Sequence, residues 1–210
     1  MLARVYVAHR DSSPPITSSY LSSYPAILEH FEAIERFTAN QFITAAHIVY
    51  GWMPTILELN VNSLPEALPV MEAARHGLVL TASQIAQLAG TVNNSVIGAS
   101  KLLHFTNPSV YPIWDSRVFQ FLNRSDTAPA LKGHHYQVNN ATLYETYAQT
   151  CREVAVTTDF QPTYDSLIEQ FRDLPGYETF KITPLRALEY IMFMAGGKQM
   201  SDKMFTAGTT

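Results

Sequence analysis

The chain has 210 residues, is 47% hydrophobic and 15% charged, and carries a net charge of −4. This excludes a disordered chain and leaves apolar material for a core that needs no staples. A single cysteine, Cys151, excludes an intrachain disulfide framework and a cysteine-based zinc finger.

Residues 1–23 read as irregular, because Pro14, Pro15 and the serines Ser18, Ser19, Ser22 and Ser23 oppose regular structure; Ala3–Ala8 has at most the character of a short strand. From Tyr24 the apolar period is helical. Ile27, Leu28, Phe31 and Ile34 share a face, with Glu29, Glu32 and Glu35 elsewhere. Thr38 with Gln41 predicts a capping box ahead of the apolar run Phe42–Tyr50, and Gly51 and Pro54 disturb that helix near Trp52. Ser63 with Glu66 repeats the signature, with Pro65 in the first turn and Gly77 as the stop. Thr81 with Gln84 opens a third helix through Ile85, Leu88 and Ala89, which Asn93-Asn94 breaks.

A further helix runs from about Ser95 to Phe105 and stops before Pro108. The linker TNPSVYPI leads to Asp115, and Val118, Phe119, Phe121 and Leu122 resume the helical pattern. Residues 125–139 form a polar loop. Helices follow at about 140–156, 163–172 and 184–195, the last opened by Thr183-Pro184 and closed by Gly196-Gly197. The count is eight or nine helices with no sheet. The expected fold is all-α, a compact multi-helix globule in which 24–210 form one helical domain, an arrangement in two lobes being the alternative.

No run of about 18 uncharged apolar residues occurs, so no transmembrane helix and no membrane partner are expected. The apolar stretch of MLARVYVAHRDSSPP is too short for a signal peptide, and the expected setting is the cytoplasm. With an isoelectric point near 5.9, the chain lacks the overall basicity of a generic nucleic-acid binder. The charge is unevenly spread. Residues 77–135 carry Lys101, Arg117, Arg124 and Lys132 against Asp115 and Asp126, while the flanking thirds are both acidic. That middle third is either an anion-facing surface or mere scatter.

The phosphate loop, the GxGxxG turn, the HExxH zinc motif and the Gly-x-Ser-x-Gly elbow are all missing. His134 and His135 are adjacent and would point apart on a helix or strand, and the other histidines are scattered. Neither a metal nor a cofactor is predicted.

The informative stretch is Gly98–Leu122, GASKLLHFTNPSVYPIWDSRVFQFL: a helix, a short linker, and an aspartate opening the next helix. Lys101 lies near the start of the first helix and Asp115 at the start of the second. With Gly98-Ala99-Ser100-Lys101 as the hairpin element and Pro112-Ile113-Trp114-Asp115-Ser116-Arg117-Val118 as the aspartate element, the stretch resembles the helix-hairpin-helix DNA glycosylase superfamily. It is most similar to compact, divergent bacterial members with an 8-oxoguanine-DNA-glycosylase-like fold. Asn93-Asn94 would make the hairpin turn, since asparagine tolerates left-handed backbone.

The resemblance implies base excision from DNA on a nucleotide flipped out of the stack. It implies Lys101 as the nucleophile, attacking the sugar C1′ as a neutral amine and holding the sugar as a Schiff base, as an N-glycosyl hydrolase and abasic-site lyase would. It implies Asp115 as the electrostatic partner of the cationic sugar. Arg117 and Arg124 would contact phosphates, and Trp52, His104, Tyr111 and Trp114 would line or wedge a base pocket.

Each residue also has a plainer reading. Asp115 is a helix N-cap, Lys101 a surface lysine, Arg117 a local contact to Asp115, Trp114 a staple and Trp52 core. His104 is a satisfied structural histidine, and methionines such as Met192 and Met194 are core filler. Two further functional readings therefore stand beside the enzyme: a catalytically silent glycosylase-like scaffold, and a helical interaction or regulatory protein.

Overall fold

The computed structural model describes residues 1–10, 19–123, 133–178 and 180–206. Ten α-helices occur among them: α1 Leu2–Arg10, α2 Ser19–Glu32, α3 Ala39–Trp52, α4 Leu64–Arg75, α5 Ala82–Thr91, α6 Val96–Thr106, α7 Ser116–Asn123, α8 Ala141–Ala155, α9 Gln161–Phe171 and α10 Pro184–Thr206. Two 3-10 turns, Val61–Ser63 and His135–Asn139, complete the set. No strand forms among the described residues beyond one isolated bridge between Leu59 and Val92. The fold is all-α.

Local signals account for several of these boundaries. Thr38 and Thr81 each close a full capping box, with Gln41 and Gln84 reaching back to the cap backbone. Each box satisfies two amides that the first helical turn leaves orphaned. Asn93 and Asn94 take φ of +55° and +47° and turn the chain tightly from α5 into α6. Thr183 accepts from the Arg186 amide at 3.2 Å, ahead of Pro184 at the first helical position of α10.

Three expectations need correction. Ser63 makes no cap bond to its helix; its hydroxyl donates to the Asn60 carbonyl and to Thr91, because the preceding 3-10 turn already delivers the chain into α4. Residues 2–10 and 19–23 are helical rather than irregular, and Val5, Leu21 and Tyr24 are buried. Residues 11–18, which include Pro14 and Pro15, lie outside the described residues. Finally, α10 runs through Gly196-Gly197 instead of stopping there. A Cβ at Gly196 would overlap the Arg117 carbonyl and Cα of α7, so this glycine permits a close helix–helix approach.

The buried cluster draws on α1 to α10 and is rich in aromatic side chains. At its centre lies the segment 110–114, which is non-helical and cannot satisfy its carbonyls through helix bonds. Five successive carbonyls instead accept from five side chains. Arg152 donates to Val110 at 3.0 Å, His104 to Tyr111 at 2.7 Å, Tyr144 to Pro112 at 3.1 Å, Tyr147 to Ile113 at 3.0 Å and Ser100 to Trp114 at 3.1 Å. This segment ends at Asp115, so the network fixes where the aspartate stands.

His104 completes its own bonding by facing the Tyr24 hydroxyl through Nε2 at 2.7 Å. Donation from Nδ1 to a carbonyl leaves Nε2 as the acceptor, which assigns the neutral ring with its proton on Nδ1. Burial, reinforced by the Arg186 charge, lowers the His104 pKa to about 3. In ¹⁵N NMR this ring is expected to stay in the Nδ1–H form as pH falls toward about 3, whereas an ordinary histidine titrates near about 6.5. Titration of all seven histidines in the ordinary range would contradict this bonding.

Candidate functional site

The cleft is bounded by α2, the end of α3, α6, the start of α7 and α10, and encloses about 570 Å³. That volume lies within the range of small-molecule pockets. Its floor carries Lys101 from α6, Asp115 from the α7 cap, and Arg186 and Glu189 from α10. Aromatic and apolar walls come from Tyr20, Trp52, Met53, Tyr190, Phe193 and Met194.

Lys101 is half-buried, one turn into α6 and away from its capped end. Burial pulls its amine below the ordinary lysine range, against the pull of the Asp115 and Glu189 carboxylates. No described residue forms an ion pair with it. The ammonium is thus held among charged groups with which it forms no ion pair.

Asp115 does two things at once. Its Oδ1 accepts from the Arg117 and Val118 amides at 2.9 and 3.0 Å, which caps α7. The residue also lines the same cleft as Lys101. The cap fixes the carboxylate's orientation through one oxygen, and these bonds leave Oδ2 unused.

Arg186 and Glu189 form a close i,i+3 ion pair, with only 5% and 1% of their surfaces exposed. The guanidinium also stacks over Tyr24, 4.9 Å from the ring centroid. Burial pushes the Glu189 carboxyl up to about 7, opposed chiefly by Arg186. The Tyr190 hydroxyl, on the same helix, is buried with no hydrogen-bond partner. Sequence reasoning missed this pair, although a signal was present. Two opposite charges sit inside the otherwise apolar run Leu185, Ala187, Leu188, Tyr190, Ile191, Met192, where a surface helix would alternate.

The structure brings together four of the residues singled out in the sequence: Lys101, Asp115, Trp52 and Arg117 all line the cleft. Trp52 packs edge-on against Tyr20 at 5.5 Å and donates to the Tyr20 carbonyl, forming one wall. Arg117 is exposed at the mouth and stacks on Phe193 at 4.6 Å. His104, Tyr111 and Trp114 are not brought there. All three are buried and absent from the cleft lining, because they hold the 110–114 segment and α6 together: the Trp114 backbone exchanges bonds with Ser100, and its indole donates to the Val138 carbonyl at 2.7 Å. Arg124 lies outside the described residues.

The α5–turn–α6 hairpin differs from a bare phosphate anchor. The Val96 amide donates to Asn139 Oδ1 at 2.7 Å, and the Gly98 amide to Ser95 Oγ at 3.0 Å. Gly98 serves packing, since a Cβ there would overlap the Tyr50 hydroxyl. Among the described residues no group of three His, Cys, Asp or Glu is placed to hold a metal ion, and no helix is long and apolar enough to cross a membrane. No family model, no curated protein and no solved structure matches the chain.

Proposed function

We propose that the protein is a DNA glycosylase and lyase acting on a damaged or modified base extruded from the duplex. The observation that carries this reading is that Lys101 and Asp115, from consecutive helices, line one cleft of about 570 Å³. Burial lowers the basicity of Lys101, which favours the neutral amine that a nucleophile requires. Its Nζ attacks C1′, a new N–C1′ bond forms, and the bond from C1′ to the base breaks with its electron pair leaving on the base. The Asp115 carboxylate stabilises the cationic character of the sugar as that bond loosens. The Tyr20–Trp52 wall offers a face for the base, and Arg117 at the mouth offers a phosphate contact.

One observation favours a second reading. The amides at the start of α6 are already occupied by Asn139 and Ser95, which suits a glycosylase-like scaffold that has lost its grip on DNA. Borohydride trapping separates the two. The protein is incubated with duplexes carrying oxidised, alkylated, deaminated or abasic sites, and reductant is added. A covalent protein–DNA adduct and base release are expected from the enzyme. No adduct and no base release across the panel, with salt-dependent DNA affinity retained, would leave the scaffold.

A further inference from the structure

Glu189 is the buried ionisable group of the cleft that the reaction above does not use. Two carboxyls face Lys101, and their environments differ sharply. Asp115 is half-buried and fixed by two backbone amides, whereas Glu189 is 1% exposed and its ion-pair partner is Arg186. Carboxyls in one site with divergent surroundings tend to divide into a fixed charge and a proton carrier.

We propose that Glu189 is the proton carrier of the cleft, taking a proton from the Lys101 ammonium and giving it to the departing base. This rests on the glycosylase reading and adds the acid and base that it lacks. The step balances. Lys101 Nζ loses H⁺ to the Glu189 carboxylate, giving a neutral amine and a carboxylic acid with no change in net charge. The amine then bonds to C1′. The base leaves with the electron pair of its C1′ bond and takes the proton from Glu189. Glu189 returns to carboxylate, and the positive charge now rests on the sugar-linked nitrogen. Lys101 and Glu189 are not in direct ion-pair contact, so the proton passes through a water in the cleft.

The surroundings suit a shared proton. Glu189 is faced by Lys101 from α6, Asp115 from the α7 cap, Tyr147 and Cys151 from α8, Tyr24 from α2, and Arg186 and Tyr190 from its own helix. Burial raises the pKa values of Tyr147, Cys151 and Tyr24, which keeps them neutral. Burial raises the Glu189 carboxyl and lowers the Lys101 amine, so both shifts favour moving the proton from nitrogen to carboxylate.

The first test needs no substrate. In the full chain labelled with ¹³C at the glutamate carboxyl, one resonance is expected to titrate with a midpoint near 7 and to vanish in Glu189→Gln. If every glutamate titrates in the ordinary range near about 4.3, the proposal is overturned. A second test uses the wild type, so a poorly folded variant cannot obscure it. Base release should rise as pH climbs through about 7, where Glu189 becomes the carboxylate that takes the Lys101 proton, and should fall again once the pair loses that proton to solvent, while trapping on a preformed abasic site, which has no base to protonate, should rise and then level off without falling. Parallel profiles would also overturn the proposal. Where Glu189→Gln folds, its loss should be at least about tenfold greater for base release than for abasic trapping; an equal loss in both would mark a merely structural residue. Failure to trap the abasic site in wild type would instead sink the glycosylase reading, and the carboxyl titration would still decide the state of Glu189.

Discussion

Lys101→Gln is expected to abolish the borohydride-trapped adduct, while Asp115→Asn lowers the trapping rate by about 10²–10³-fold with little change in stability. The two substitutions remove different things. Glutamine lacks the amine that bonds to C1′, so no covalent adduct can form whatever the rest of the cleft does. Asparagine keeps the oxygen that receives the Arg117 and Val118 amides, so α7 stays capped. What it loses is the negative charge beside the developing sugar cation. Asp115→Ala removes charge and cap together, and is expected to lose a further ~1 kcal/mol in stability. Trapping kinetics with parallel urea denaturation checks all three. If Asp115→Asn matched wild type in trapping while Asp115→Ala failed in both assays, the aspartate would be a cap and nothing more.

Glu189→Leu is expected to destabilise the fold by about 3–5 kcal/mol, and the double variant Arg186→Leu/Glu189→Leu to recover most of that loss. The single change leaves a guanidinium in the core, 5% exposed, with its close ion-pair partner gone. Arginine cannot escape by deprotonation. Glutamate can escape by taking up a proton, so Arg186→Leu should be the milder of the two singles. The sign of its pH dependence follows. Glu189 is already raised to about 7, and losing the arginine raises it further. A raised carboxyl binds more protons folded than unfolded, so stability declines as pH climbs from the unfolded carboxyl value toward the folded one. Wild type and variant decline together up to about pH 7, and the Arg186→Leu penalty should grow above it, where only the variant keeps the proton; denaturant midpoints on either side of that pH will show this. Equal penalties for the two singles at every pH would mean that the pair is solvated rather than buried.

How much of this was legible in the sequence depends on the range of each interaction. The capping boxes at Thr38 and Thr81 and the turn at Asn93-Asn94 involve contacts within a few residues, and they form as read. Gly196 misled because a glycine that ends a helix and one that admits a neighbouring helix look alike in one dimension. Lys101 and Asp115, singled out in the Gly98–Leu122 stretch, both line the cleft. The stretch gave no means of dividing its aromatic side chains between cleft and core. His104, Tyr111 and Trp114 went to the core because the non-helical backbone beside them needed donors and filler from Ser100, Tyr144 and Tyr147, the last two more than twenty residues away in sequence. Glu189 escaped notice because its significance depends on four other helices.

The contact at Gly196 has a mechanical consequence. With no side chain between them, the backbones of α10 and α7 meet directly, so the helix bearing Arg186 and Glu189 and the turn bearing Asp115 behave as one stiff jaw. The facing wall is built differently: Tyr20 from the start of α2 and Trp52 from the last residue of α3 touch edge to face, ring against ring. A ligand in the site therefore lies between a floor braced by direct backbone contact and a wall held through side chains.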